Sequence, residues 1–162
     1  MATTIIIGVG NPVIADDALG LVAARCIRKR LPMASWLTVA EIHNGGLELM
    51  EAMVGYDHAF VVDAIVTGGR PGTIYRLEVD QLAATRNACT SHSGTLSSAL
   101  ELGRLSGVKL PRDVRIWAVE ADDVATFCES LTAEVEAAVA DVVSEIVREL
   151  SPPSPCSRRL VQ

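Results

Sequence analysis

The chain is predicted to be an α/β protein: a single-domain, doubly wound α/β/α sandwich of about five mostly parallel strands with one antiparallel edge strand. Two continuous apolar runs rich in β-branched residues, 5–9 and 59–66, predict strands that are covered on both faces. Amphipathic helical patterns alternate with the strands, as is typical of parallel βαβ units. A further run, 73–79, alternates apolar and charged residues, which favours an edge strand antiparallel to the others.

The individual elements are predicted from these periodicities and from the turn residues between them. In chain order they are strand 5–9, helix 19–31, strand 37–42, short helix 47–54, strand 59–66, edge strand 73–79, a helix containing residues 96–105, strand 113–120 and helix 132–150. The side chains of the short helix expected to face the core are Leu47, Met50, Met53 and Val54. Residues 1–150 are expected to form the one domain, and the Pro- and Ser-containing tail 151–162 is expected to be disordered.

Composition and charge exclude several classes of function. The chain has a formal net charge of -6, whereas nucleic acids and anionic membranes are bound through surplus Lys and Arg, so neither is expected as a partner. No window reaches the roughly 20 apolar residues that span a bilayer, and the opening strand is too short for a secretion signal. The four cysteines are scattered without a C-x-x-C pair, unlike those of zinc ribbons or disulfide scaffolds. We therefore expect a cytoplasmic protein.

Three potential metal ligands, Asp17, Asp63 and His92, follow or end predicted strands or begin a predicted helix. If the third strand lies beside the first, on the side away from the second, the winding reverses between the loops after Gly8 and after Asp63, where such folds have their sites. Two carboxylates and one imidazole suit Zn, Ni, Mn or Fe. Three protein ligands leave positions for water or substrate, as a catalytic metal requires.

Each of these residues also has a purely structural interpretation. Asp17 could cap the first helix, and His92 could be an ordinary polar residue at a helix start. Asp63 is harder to explain in this way, because a carboxylate at the end of an apolar strand is costly to bury without compensation. Other chemistries have less support, since the chain contains no G-x-S-x-G or P-loop motif, and Gly8-x-Gly10 lacks the third glycine of a dinucleotide-binding loop.

A series of short motifs resembles the [NiFe]-hydrogenase maturation endopeptidase family. The motifs are Gly8-Val9-Gly10-Asn11 with Asp16-Asp17 and Gly20, Asn44-Gly45-Gly46, Val61-Val62-Asp63-Ala64, Ser91-His92 and Leu131-Thr132-x-Glu134-Val135. The resemblance implies an aspartic-type-like endopeptidase that removes the C-terminal extension of a hydrogenase large-subunit precursor after nickel insertion. It also implies that Asp17, Asp63 and His92 are catalytic and contact a metal. The metal expected from the resemblance is nickel supplied by the substrate, with zinc or another divalent ion as a substitute in vitro.

Asn11, Asn44, Gly45 and Gly46 are the predicted substrate-binding residues. Many members of the family have Asp-Gly-Gly where this chain has Asn44-Gly45-Gly46, and Asn44 could hydrogen-bond to a substrate but could not supply a charge. The two glycines either let a peptide approach closely or only form a turn between strand and helix. Whether cleavage uses a metal-bound water or acid-base chemistry of a carboxylate is left open. The alternative function is a non-catalytic maturation chaperone of the same fold that binds metal or precursor.

Overall fold

A computed structural model of the protein describes residues 2–32, 34–43, 46–79 and 96–150. Its five-stranded sheet is formed by β1 (Thr4–Val9), β2 (Leu37–Ile42), β3 (His58–Ile65), β4 (Ile74–Glu78) and β5 (Asp113–Glu120). The strand order is β2-β1-β3-β5-β4, with β4 antiparallel to β5 and the other pairs parallel. The predicted fold class is confirmed, including the antiparallel edge strand and the position of β3 beside β1.

Helices cover both faces of the sheet. They are a 3-10 helix (Asp16–Ala18) followed directly by α1 (Leu19–Arg30), then α2 (Leu47–Met53), α3 (Leu96–Leu105) and α4 (Ala133–Leu150). Because side chains alternate along a strand, Phe60 and Val62 of β3 pack on the face of α1 and α4, whereas Val61 and Ile65 pack on the face of α2 and α3. This two-sided burial explains the uninterrupted apolar strands.

Two glycines allow α1 to begin directly against the sheet. A Cβ atom on Gly8 would overlap the carbonyl oxygen of Gly20, and a Cβ on Gly20 would overlap the carbonyl oxygens of Val9 and Val62. Only hydrogen atoms at both positions permit this approach. The start of α1 is therefore fixed over the carboxyl ends of β1 and β3.

The prediction for the short helix was wrong at two positions. Leu47 and Val54 are 53% and 41% exposed, and the buried side chains of this segment are Leu49, Met50 and Met53. At about 100° per residue, Leu47 and Val54 lie roughly 100° around the helix axis from the centre of that buried stripe. A helix of only seven residues presents one narrow face, so apolar residues at its ends remain outside the core.

Two arginines of α1 form ion pairs with the neighbouring strand β2. Arg25 and Arg28 both bind the carboxylate of Glu41 on β2, at 2.8 and 3.0 Å, and Arg28 also donates to the carbonyl oxygen of Val39. Because these groups lie at the surface, the contribution of such pairs to stability is small.

Two further predictions concern residues outside the described ranges. They are the disorder expected for the tail 151–162 and the position of His92, which belongs to the segment 80–95. Within the described ranges, none of the helices combines the length and the apolar character needed to cross a bilayer.

Candidate functional site

The loop after β1 is built by Asn11. Its side-chain Oδ1 accepts the backbone N–H of Val13 at 3.1 Å, and its carbonyl oxygen accepts the N–H of Ile14 at 3.3 Å, so the chain turns sharply where the strand ends. The backbone N–H of Asn11 donates to Oδ2 of Asp17 at 3.2 Å. Asn11 therefore shapes the loop and also fixes one oxygen of the candidate ligand Asp17.

Asp17 lies in the 3-10 helix, half-buried, at the carboxyl edge of the sheet. This short helix packs against β3. The loop is tightly folded, because a Cβ on Gly10 would overlap the carbonyl oxygen of Asp17. Asp17 thus follows β1 in sequence and lies beside the neighbouring strand in space.

Asp63 lies near the carboxyl end of β3 and is 6% exposed. Val62 pairs with Gly8 of β1, so Asp63 is at the level where β1 ends and the loop to Asp17 begins. One of its oxygens accepts the N–H of Ala64 at 2.8 Å. By strand alternation Asp63 shares the face of Val61 and Ile65, the side of the sheet covered by α3.

The remaining predicted site residues are only partly covered by the structure. His92, Asn44 and Gly45 lie outside the described residues. Gly46 precedes α2 with a φ of 62°, in the left-handed region that favours glycine, and its carbonyl oxygen accepts the N–H of Met50. Among the residues that the structure describes, no group of three His, Cys, Asp or Glu side chains could hold a metal ion. Two of the three predicted ligands, Asp17 and Asp63, lie within the described residues, and the metal site stays a prediction.

Asp16, which directly precedes the candidate ligand, has a structural role that the sequence did not reveal. Its side chain is fully buried and accepts four hydrogen bonds. The donors are the N–H groups of Asp122 and Asp123 at 3.0 Å, the N–H of Thr132 at 2.7 Å and the hydroxyl of Thr132 at 2.9 Å. The Asp16 carboxylate therefore fastens the loop before α4 to the 3-10 helix that carries Asp17.

Glu120 performs a similar task on the loop after β3. This buried carboxylate accepts the N–H and hydroxyl of Thr67, both at 2.7 Å, and the N–H groups of Gly68 and Gly69 at 2.9 and 3.1 Å. Burial raises the pKa of Glu120, but the hydrogen bonds from Thr67, Gly69 and Gly68 outweigh it and hold the pKa below the ordinary value. The loop that follows Asp63 is thereby held to the end of β5.

Asp16 and Glu120 each accept four hydrogen bonds that hold loops in place. Asp17 and Asp63 are the two described carboxylates that the sequence predicts for the site. No local pattern around Asp16 or Glu120 signals this role, because their donors come from loops far away in the chain.

The architecture defines a class of protein: an α/β sandwich whose acidic candidate site lies where the winding of the sheet reverses. The sequence model of the HycI hydrogenase maturation protease family matches residues 27–149. The chain is 25% identical over 148 residues to the hydrogenase 2 maturation protease of Escherichia coli, covering 90% of this chain and 89% of that protein. It is 24% identical to the hydrogenase expression/formation protein HupD of Rhizobium leguminosarum, covering 90% and 73%.

Solved structures agree. The hydrogenase maturating endopeptidase HybD from E. coli superposes with a TM-score of 0.78 at 25% identity, with 91% of each chain covered. The [NiFe] hydrogenase maturation protease HybD from Thermococcus kodakarensis shares the fold, with a TM-score of 0.66 at 20% identity over 93% of this chain and 99% of that one. The protein belongs to the HycI hydrogenase maturation protease family, which confirms the resemblance drawn from its motifs.

Proposed function

We propose that this protease removes the C-terminal extension of a [NiFe]-hydrogenase large-subunit precursor, and that it recognises the nickel already inserted into that precursor. The observation that supports this most is the position of Asp17 and Asp63. They lie on segments that follow or end neighbouring parallel strands, at one edge of the sheet, in a chain of the maturation protease family.

The ligand chemistry fits nickel as part of the substrate. Carboxylate oxygens from Asp17 and Asp63, with the imidazole of His92, form a mixed oxygen and nitrogen set that suits divalent nickel and also zinc. Three ligands from the protease leave coordination positions for groups of the precursor and for water. Zinc or another divalent ion takes the same place in vitro. Precursor that lacks metal offers these residues nothing to bind, so cleavage waits for loading.

The same residues supply two chemistries for hydrolysis. A divalent ion held by these residues would polarise the scissile carbonyl and would lower the pKa of a bound water to about 7. The alternative is general acid-base catalysis by one of the carboxylates. The two differ in their requirement for metal, because acid-base catalysis alone would also cleave metal-free precursor.

The substrate backbone would approach over Asn11 and the segment Asn44-Gly45-Gly46. Asn11 supports this role because its turn fixes Asp17 beside the edge where the peptide would lie. Gly46 itself is buried, and its φ of 62° lets the chain turn into α2, so its part in this proposal is to shape the segment. A cytoplasmic location is part of the same proposal.

The test is the mass of the large subunit after incubation with the protease. Wild type should shorten nickel-loaded precursor and leave metal-free precursor intact. Asp17→Asn, Asp63→Asn and His92→Ala should each slow processing at least about 100-fold. The matched control is Asp141→Asn, which changes an exposed carboxylate on α4 and should process at the wild-type rate.

The outcomes separate the possible functions. Full processing by all three site variants would remove the proposed mechanism. A precursor that binds but keeps its mass would favour the chaperone. Equal cleavage of nickel-loaded and metal-free precursor would mean that the protein is a protease that does not recognise nickel.

A further inference from the structure

Two segments beside the candidate site form a pair of loops with an unusual surface. Residues 11–15 and 123–128, here called the loop pair, are joined by an antiparallel bridge between Ile14 and Phe127. The N–H of Ala15 donates to the carbonyl oxygen of Thr126 at 3.1 Å, and the N–H of Cys128 donates to that of Val13 at 3.2 Å. The four hydrogen bonds to Asp16 hold the base of the pair.

The loop pair holds apolar side chains out in solvent. Phe127 is 83% exposed, and Val13 and Val124 are exposed as well. They are three of the eight exposed large hydrophobic residues in the described part of the chain. Two more, Leu47 and Val66, follow β2 and β3 at the same edge of the sheet. Exposed apolar residues grouped around one site are typical of a surface that binds another protein.

The charge of this surface indicates the chemistry of its partner. The loop pair together with its flanking residues, 11–17 and 121–132, contains no Lys or Arg and five acidic residues, Asp16, Asp17, Asp122, Asp123 and Glu129. Asp16 is buried and fully hydrogen-bonded, but Asp122 and Glu129 are exposed beside the apolar side chains. A partner that matches this surface offers an apolar pocket bordered by basic residues.

We propose that the loop pair is the docking surface for the large-subunit precursor, with Phe127 inserting into an apolar pocket that basic residues of the precursor surround. This inference rests on the proposed function and adds the surface by which the substrate is held. Asp17 is fixed by the N–H of Asn11, a residue of the loop pair, so docking there brings the precursor to the candidate site. A rigid aromatic side chain on a preorganised loop is the kind of residue that carries most of the binding energy of an interface.

The test is a binding titration with a large-subunit precursor that retains its C-terminal extension. Phe127→Ser should raise Kd at least about tenfold, since truncating such an anchor commonly costs more than one power of ten. The matched control is Leu105→Ser on α3, which is 81% exposed and should leave Kd unchanged. Circular dichroism should show both variants folded, because neither side chain is buried.

A second pair of variants tests the charge. Asp122→Asn combined with Glu129→Gln should weaken binding at low salt and reduce the loss of affinity when salt is raised, since screening acts on exposed charges. The control is Glu101→Gln, an exposed acid on α3. Processing is followed in parallel, and Phe127→Ser should raise KM with little change in kcat.

These readouts distinguish the two proposals. Wild type that binds precursor without shortening it would contradict the proposed function but not the docking surface. Wild type that shortens precursor while Phe127→Ser keeps the wild-type Kd would contradict the docking surface alone. A wild-type dimer that Phe127→Ser converts to a monomer, with Kd for precursor unchanged, would assign the surface to self-association and overturn the proposal.

Discussion

Asp16 and Asp17 are adjacent and chemically identical, and the structure predicts opposite consequences of changing them. Removing the Asp16 carboxylate leaves the N–H groups of Asp122, Asp123 and Thr132, and the hydroxyl of Thr132, without their acceptor. Asp17 accepts a hydrogen bond from the N–H of Asn11 at 3.2 Å and is only half-buried. Asp16 should therefore control stability, and Asp17 should control activity.

The magnitudes follow from the donors. At about 1 kcal/mol for each buried donor left unpaired, Asp16→Ala should lower the free energy of unfolding by about 4 kcal/mol. Asp16→Asn can keep one oxygen towards the three donors that Oδ2 now accepts, but it turns an amide towards the N–H of Thr132, so we expect a loss of about 2 kcal/mol. Asp17→Asn should cost less than about 1 kcal/mol. Domains of this size are stable by about 5–15 kcal/mol, so Asp16→Asn should still fold.

Urea unfolding followed by far-UV circular dichroism measures these differences. With a slope of about 2 kcal/mol per molar urea, Asp16→Asn should shift the midpoint by about 1 M, and Asp17→Asn should shift it by less than half of that. Wild-type stability in Asp16→Asn would refute the inference that Asp16 fastens the loops. A large loss of stability in Asp17→Asn would show that Asp17 is also structural.

Three further predictions concern stability. Glu120 has a lowered pKa in the folded protein, so its contribution is fully present above the ordinary pKa of 4.5 and is lost as pH falls through the lower folded value. As pH falls, the free energy of unfolding of wild type should therefore decrease more steeply than that of Glu120→Gln. Parallel profiles of this free energy against pH would contradict the prediction. Gly20→Ala should destabilise by more than about 3 kcal/mol in a thermal melt, because its Cβ meets backbone, whereas Gly107→Ala, in open space, should cost about 1 kcal/mol. Equal melting temperatures would disprove the close approach of α1. Arg25→Ala should cost less than about 1 kcal/mol in urea unfolding, because its pair with Glu41 is exposed, and a larger loss would mean that the pair is more than a surface contact.

The fold could be predicted because its signals are local. The run Ile5-Ile6-Ile7 and the strand around Val61 are β-branched and apolar, and the alternating Tyr75 and Arg76 belong to a strand at the sheet edge. Each pattern spans a few residues and needs no knowledge of distant contacts. The exposed Leu47 and Val54 were missed because a seven-residue helix has too few turns for its buried face to be read from spacing alone.

The support of the candidate site could not be predicted, because it depends on pairs far apart in the chain. Asp16 binds the N–H of Asp122, 106 residues further on, and Glu120 binds Thr67, 53 residues back. Nothing in the acidic pair Asp16-Asp17 indicates which carboxylate is buried. The candidate ligands were found by a different argument, from the edge of the sheet at which parallel strands end.

The proposed site requires Asp17 and Asp63 to bind one metal ion together. The most direct measurement is anomalous diffraction from crystals of the protein with nickel or zinc. We expect one strong peak between these two side chains, about 2.0–2.2 Å from an oxygen of each, with His92 completing the set. A peak bound by only one of the two carboxylates, or metal bound at another part of the surface, would contradict it.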